Sequence, residues 1–214
     1  NDYEKANDYY LKAIDEKVYS AYNNLGILNE EREEFSLAEE YYKKAIGTGN
    51  KDAVMNIGLL FINQKKYKEA EKYLLMAENL KDDRAFTQLG LIYYNTNQFT
   101  KAEKYLNLSI KQNNLYDINN LGLTFEKLLK FEEAETTYLK AIVIGDFIAF
   151  FNLGLLYEKQ NNFEKSIICY KSAIEKGINI AIINLASLYF KLGQNVDAES
   201  YYKLAIEKDQ ENAY

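Results

Sequence analysis

Asn24-Leu25-Gly26 is the first of six copies of one short phrase. It returns as Asn56-Ile57-Gly58, Gln88-Leu89-Gly90, Asn120-Leu121-Gly122, Asn152-Leu153-Gly154 and Asn184-Leu185-Ala186. Every interval is 32 residues, and no insertion breaks the register. A fixed period of this size marks a repeat architecture, in which one supersecondary unit is stacked on the next.

Other columns keep the same step. A large side chain stands three residues after the glycine at Phe61, Tyr93, Phe125, Tyr157 and Tyr189, with Asn29 the exception. Twelve after the glycine comes a small residue: Ala38, Ala70, Ala102, Ala134, Ser166 and Ala198. Four further on stand Tyr42, Leu74, Leu106, Tyr138, Tyr170 and Tyr202. A second small column, Ala45, Ala77, Ser109, Ala141, Ala173 and Ala205, follows the first by seven. Spacings of three, four and seven trace one face of an α-helix.

Each unit therefore reads as two antiparallel helices, about 52–64 and about 68–79 in the second copy, joined by a polar turn at Gln64–Lys66. Helices of about 12 residues are marginal alone in water, so their stability must come from stacking. Burying three or four large residues per repeat, at roughly 1.5–3 kcal/mol each, offsets the entropy of ordering them. A glycine inside a helix costs about 1 kcal/mol relative to alanine. Its retention in five of six copies points to a steric need.

Composition narrows the function. The 214 residues are 48% hydrophobic and 27% charged, which suffices for a core and is unlike a disordered chain. The net charge of -6 is spread with both signs interspersed, without the basic stripe that phosphate recognition needs. No nucleic acid is expected as a partner. Histidine is absent, which removes the commonest general base. The one cysteine, Cys169, sits in the apolar run Ile167-Ile168-Cys169-Tyr170 and reads as a buried structural residue. A single thiol excludes an internal disulfide and a thiolate metal cage. No glycine-rich phosphate loop or metal-ligand spacing occurs, so no catalytic residue, metal or cofactor is expected and the chain reads as not an enzyme. The run Glu30-Glu31-Arg32-Glu33-Glu34 reads as a solvated helix end. No apolar run is long enough to span a bilayer, and membrane insertion is not expected. The chain opens mid-pattern without Met and reads as an excised fragment, so its compartment stays open, the lone thiol slightly favouring the cytoplasm.

The Leu-Gly, aromatic and alanine columns resemble the tetratricopeptide repeat. Ala21, Ala53, Ala85, Ala149 and Ala181, five before the glycine, and the phrase Ala45-Ile46-Gly47-Thr48-Gly49-Asn50 are similar to the related Sel-one-like repeat. Tetratricopeptide repeats are usually two residues longer, with a proline at the junction that is missing here. The extra turn residues of Sel-one-like units are missing too, so the chain resembles a divergent member. The resemblance covers practically the whole chain. It implies an all-α, right-handed α-α superhelix as one repeat domain over 1–214, with a leading helix at 1–19 and repeats at 20–51, 52–83, 84–115, 116–147, 148–179 and 180–211.

The resemblance further implies that the first helix of each unit lines a concave groove; periodicity alone does not say which helix faces inward. Asn24, Asn56, Gln88, Asn120, Asn152 and Asn184 then point into that groove, and a carboxamide matches the N–H and C=O of a peptide unit. Helices about 10 Å apart would present one rung to roughly every third residue of an extended peptide. Some members of the family hold peptide backbones with such a ladder, although the same side chains can instead bond neighbouring helices. Met55, Leu59, Leu91, Tyr94, Phe151, Leu155, Ile183 and Phe190 flank the ladder as apolar groove positions, or else belong to the interhelical core. The family's clamp for acidic peptides needs deep cations. Here Arg84 lies near an edge, and Lys127, Lys159 and Lys191 come late in their helices. The expectation is a non-catalytic scaffold that binds a protein or peptide in its groove. The alternatives are a self-associating structural element and an adaptor for acidic peptides.

Overall fold

The structure, a computed structural model, describes residues 2–112 and 114–211. It forms thirteen helices and, among the described residues, no strand. The chain divides into two compact units, Asn1–Gln112 and Asn113–Tyr214. The first holds α1 (Asp2–Asp15), α2 (Ala21–Glu31), α3 (Phe35–Gly47), α4 (Asp52–Asn63), α5 (Tyr67–Asn79), α6 (Arg84–Asn95) and α7 (Phe99–Lys111). The second holds α8 (Asp117–Lys127), α9 (Phe131–Val143), α10 (Ile148–Lys159), α11 (Phe163–Glu175), α12 (Ile180–Lys191) and α13 (Asn195–Glu211). Each unit is a stack of antiparallel hairpins, and the fold class is the all-α helical repeat expected from the columns.

One device ends the helices. A single left-handed residue follows each first helix, at Glu33, Lys65, Asn97, Leu129, Asn161 and Gly193. Lys17, Gly49, Lys81, Gly145 and Gly177 do the same after second helices. The next N–H then reaches back five residues, as from Lys66 to the Phe61 carbonyl at 2.9 Å and from Asn50 to the Ala45 carbonyl at 3.0 Å. This is the Schellman closure. Its acceptors belong to the aromatic column and the second alanine column, so the periodic residues set the turns as well as the core.

The glycine column has a steric cause. A Cβ on Gly122 would lie 2.5 Å from Cε1 of Tyr138, and one on Gly154 would lie 2.7 Å from Cδ1 of Tyr170. On Gly90 it would meet Leu106 Cδ2 at 2.7 Å, and on Gly26 it would overlap the Tyr42 ring. The residue sixteen positions later, on the second helix of the same hairpin, lies flat across each glycine. In those copies that residue is buried. The sixth copy carries Ala186, and its partner Tyr202 is 39% exposed.

First helices of successive hairpins touch one another: α2 meets α4, α4 meets α6, and in the second unit α8 meets α10. Second helices make no comparable contact among the described residues. The side of each unit on which these first helices meet is its inner, first-helix side.

Candidate functional site

The asparagine column sits on that inner side, and four of its carboxamides have polar partners in the chain. Asn56 Nδ2 donates to Asn23 Oδ1 of the preceding hairpin at 2.9 Å. Asn152 Nδ2 makes the same bond to Asn119 Oδ1 at 3.0 Å. Asn120 Nδ2 donates to Asp117 Oδ1 at 3.2 Å, and Asn184 lies against the Tyr170 hydroxyl. Asn24 is exposed; Asn56, Gln88, Asn120 and Asn184 are half-buried; Asn152 is buried. One amide hydrogen fixes the plane of Asn56, Asn120 and Asn152, and each carboxamide has further donor and acceptor capacity beyond that single bond.

The apolar positions divide. Leu59, Leu91, Tyr94 and Leu155 are half-buried on the first helices, and Phe190 is 65% exposed. The column three before the glycine behaves differently. Met55 is 3% exposed and belongs to the core of the first unit, so it does not line the groove. Phe151 packs against Tyr170 with ring centroids 6.0 Å apart. This flank of the first helix is turned toward the neighbouring second helix, a packing position. Ile183 occupies the same column in the last hairpin and is exposed beside Ile180, Tyr202 and Ile206.

A polar network absent from the sequence reading crosses the inner side. Tyr42 donates to Glu30 at 2.8 Å, Tyr138 to Glu126 at 2.6 Å and Tyr170 to Glu158 at 3.0 Å. Each pairs the residue lying on the glycine with the residue four after it. Where the first member is leucine the second is apolar or aromatic: Leu74 with Ile62, Leu106 with Tyr94. Both columns were visible, and reading one against the other would have disclosed the pairs. Burial, the carboxylate bonds and nearby charge hold the Tyr42 and Tyr170 hydroxyls well above the usual phenol range.

The charges beside these pairs differ between the units. In the second unit Lys159 Nζ bonds Glu126 Oε2 at 2.6 Å, and Lys191 lies 3.6 Å from Glu158. Two of the three lysines that an acidic peptide would need, Lys159 and Lys191, are thus already paired with carboxylates of the chain. Arg84 is likewise held by Asp82 and Asp52. In the first unit Glu30 takes its second bond from a neutral donor, Asn63 Nδ2, at 3.3 Å. Two open recesses result. One of about 630 Å³ is lined by Ile27, Glu30, Glu31, Glu33, Phe35, Tyr42, Asn56, Leu59 and Asn63. The other, of about 440 Å³, is lined by Leu155, Glu158, Lys159, Asn184, Ser187 and Lys191.

Cys169 is buried, and desolvation together with the Glu135 charge pushes its thiol up to about 11, far from a reactive thiolate. Among the described residues no group of three or more Cys, Asp or Glu side chains is placed to hold a metal. No helix among them is long and apolar enough to cross a membrane.

Sequence profiles of the tetratricopeptide repeat match residues 1–53, 52–84, 83–114, 148–175 and 181–214, together more than half of the chain. No curated protein matches the sequence. Among solved structures, the C-terminal part of a tetratricopeptide repeat protein from Cytophaga hutchinsonii aligns with a TM-score of 0.78 at 15% identity, over 97% of this chain and 90% of that one. A protective antigen of uropathogenic Escherichia coli strains with a Sel-one-like (SLR) fold aligns at 0.70 and 21% identity, over 97% of this chain and 50% of that one. YrrB, a tetratricopeptide repeat protein with an unusual peptide-binding site, aligns at 0.66 and 23% identity, over 78% of this chain and 91% of that one. At these identities the likeness concerns the fold.

Proposed function

This chain belongs to the tetratricopeptide repeat family, and from that premise we propose that the inner, first-helix face binds an extended or helical segment of a partner protein. The fold is typically that of a non-catalytic protein–protein interaction scaffold. The observation that carries the finer reading is the position of the asparagine column. Its carboxamides stand on the side where first helices meet, those of Asn56, Asn120 and Asn152 each oriented by one hydrogen bond, with Leu59, Leu91, Tyr94 and Leu155 half-buried beside them. Pre-oriented amides bind a peptide backbone at a lower entropic cost than free ones.

The test is to select peptides from a displayed library against the chain and measure the best binder on the Asn120→Ala/Asn152→Ala variant. Affinity is expected to fall roughly tenfold or more, equivalent to about 1.4 kcal/mol. The variant should remain folded, since each lost bond is worth about 1 kcal/mol of stability. Unchanged affinity in a folded variant would refute the groove reading.

A second reading has one observation in its favour. The last hairpin presents Ile180, Ile183, Tyr202 and Ile206 around an exposed recess of about 550 Å³. A self-associating element would bury that patch against another copy. Light scattering across a concentration series separates the two readings: a mass independent of concentration removes the second.

A further inference from the structure

The first-unit recess is unlike an ordinary apolar groove. Its floor is Ile27, Leu59 and Phe35, the first and last of them exposed to solvent. Three carboxylates, Glu30, Glu31 and Glu33, stand around that floor, and no Lys or Arg lines it. The nearest arginine in sequence, Arg32, is committed to Glu34 at 2.8 Å and lies outside the lining. Among the described residues neither Glu31 nor Glu33 forms an ion pair. Glu30 is oriented by the Tyr42 hydroxyl and the Asn63 amide, neutral donors that fix its position and leave its charge uncancelled. Burial, with Glu30 and Glu31 beside it, holds the Tyr42 hydroxyl above the usual phenol range.

Like charges gathered at the mouth of an apolar pocket repel one another, and a cation entering between them relieves that repulsion while its stem covers apolar surface. A guanidinium suits the place best. It is planar, it offers paired N–H groups to more than one carboxylate, and it stacks on an aromatic face such as Phe35. An acidic segment would meet only repulsion there.

We propose that this recess holds an arginine or lysine side chain of the partner segment, with an apolar neighbour seated on Ile27 and Leu59. The inference rests on the first-helix face being the docking surface and adds the chemistry of one anchor. The recess is contained within α2, the turn that follows it, α3 and α4, and draws on no residue of the second unit.

The probe is N-acetyl-leucyl-arginine amide, titrated into the ¹⁵N-labelled chain beside the matched glutamine and glutamate dipeptides. Saturable amide shifts at 27–35 and 56–63 are expected with arginine, binding roughly tenfold weaker with glutamine, and none with glutamate. Glu31→Lys/Asn63→Lys should abolish the arginine shifts. The second unit already carries lysine at the equivalent positions 159 and 191 around Glu158, so the hairpin accommodates them. Glu33→Gln, on the exposed turn, should weaken binding several-fold without touching the core. The proposal is overturned if arginine and glutamine probes bind alike, if the shifts fall at 155–159 and 184–191 instead, or if either variant binds as the parent does. A selected peptide that ignores Asn120 and Asn152 would sink the groove reading alone. An arginine-blind recess would sink this inference alone.

Discussion

The recess between α2 and α4 and the recess between α10 and α12 are the same place in the repeat, four periods apart. Ile27 stands where Leu155 does, Glu30 where Glu158, Tyr42 where Tyr170, and Asn56 where Asn184. The geometry is shared: a glycine admits a tyrosine ring, and the tyrosine hydroxyl holds a carboxylate. Only the neighbours differ. Glu31 and Asn63 in the first become Lys159 and Lys191 in the second, and a cluster of carboxylates becomes an ion-paired one. Packing decides where the pocket is, and three positions decide its charge, since Glu33 also gives way to the neutral Asn161. A repeat protein can thus vary recognition along its length without disturbing its core.

The largest way to break the comparison is at the shared floor. Gly26→Val and Gly154→Val should each cost about 3 kcal/mol in urea unfolding, because the new side chain must displace a buried tyrosine ring. Ala186→Val, in the copy whose Tyr202 is already displaced toward solvent, should cost only about 1 kcal/mol. Equal costs at all three positions would show that the ring does not depend on the glycine.

The turns behind the recesses should differ by less. Glu33 sits at φ 60 and Asn161 at φ 58, a conformation that costs asparagine less than glutamate. Glu33→Gly should raise stability by about 0.5–1 kcal/mol, and Asn161→Gly should leave it nearly unchanged. Thermal midpoints of the two variants measure this directly, and a gain at Asn161 as large as that at Glu33 would contradict it.

The smallest effect concerns the carboxylates. Glu158→Gln loses an ion pair with the half-exposed Lys191 and should cost about 0.5 kcal/mol. Glu30→Gln loses no ion pair and removes one charge from a crowded group, so stability should hold or rise slightly. The contrast should fade as salt is added, and its persistence in high salt would mean that charge is not its cause.

Much of this was legible in the residues. The period located every hairpin, and the turn read at Gln64–Lys66 lies between α4, ending at Asn63, and α5, starting at Tyr67. Retention of glycine announced a close approach, although the approaching side chain was already in plain view as the tyrosine and leucine column. One residue was misread. Met55 looked like a groove residue because a helix face defined by spacing is wide, and its edge is covered by the neighbouring helix. The run from Glu30 to Glu34 is solvated as read, with Glu31, Arg32 and Glu33 exposed, but three of its carboxylates also border an open recess. A charge run carries no signal about which of its members face a cavity, because that depends on the next hairpin.

By itself the sequence determined the hairpin, its length and its register, because these follow from contacts at spacings of three, four, seven and sixteen within one unit. Tertiary structure alone decided which helices meet between repeats, which apolar positions are covered, and where carboxylates gather without a cation. Those depend on surfaces brought together from different repeats, and a periodic pattern is the same whichever way its units are turned.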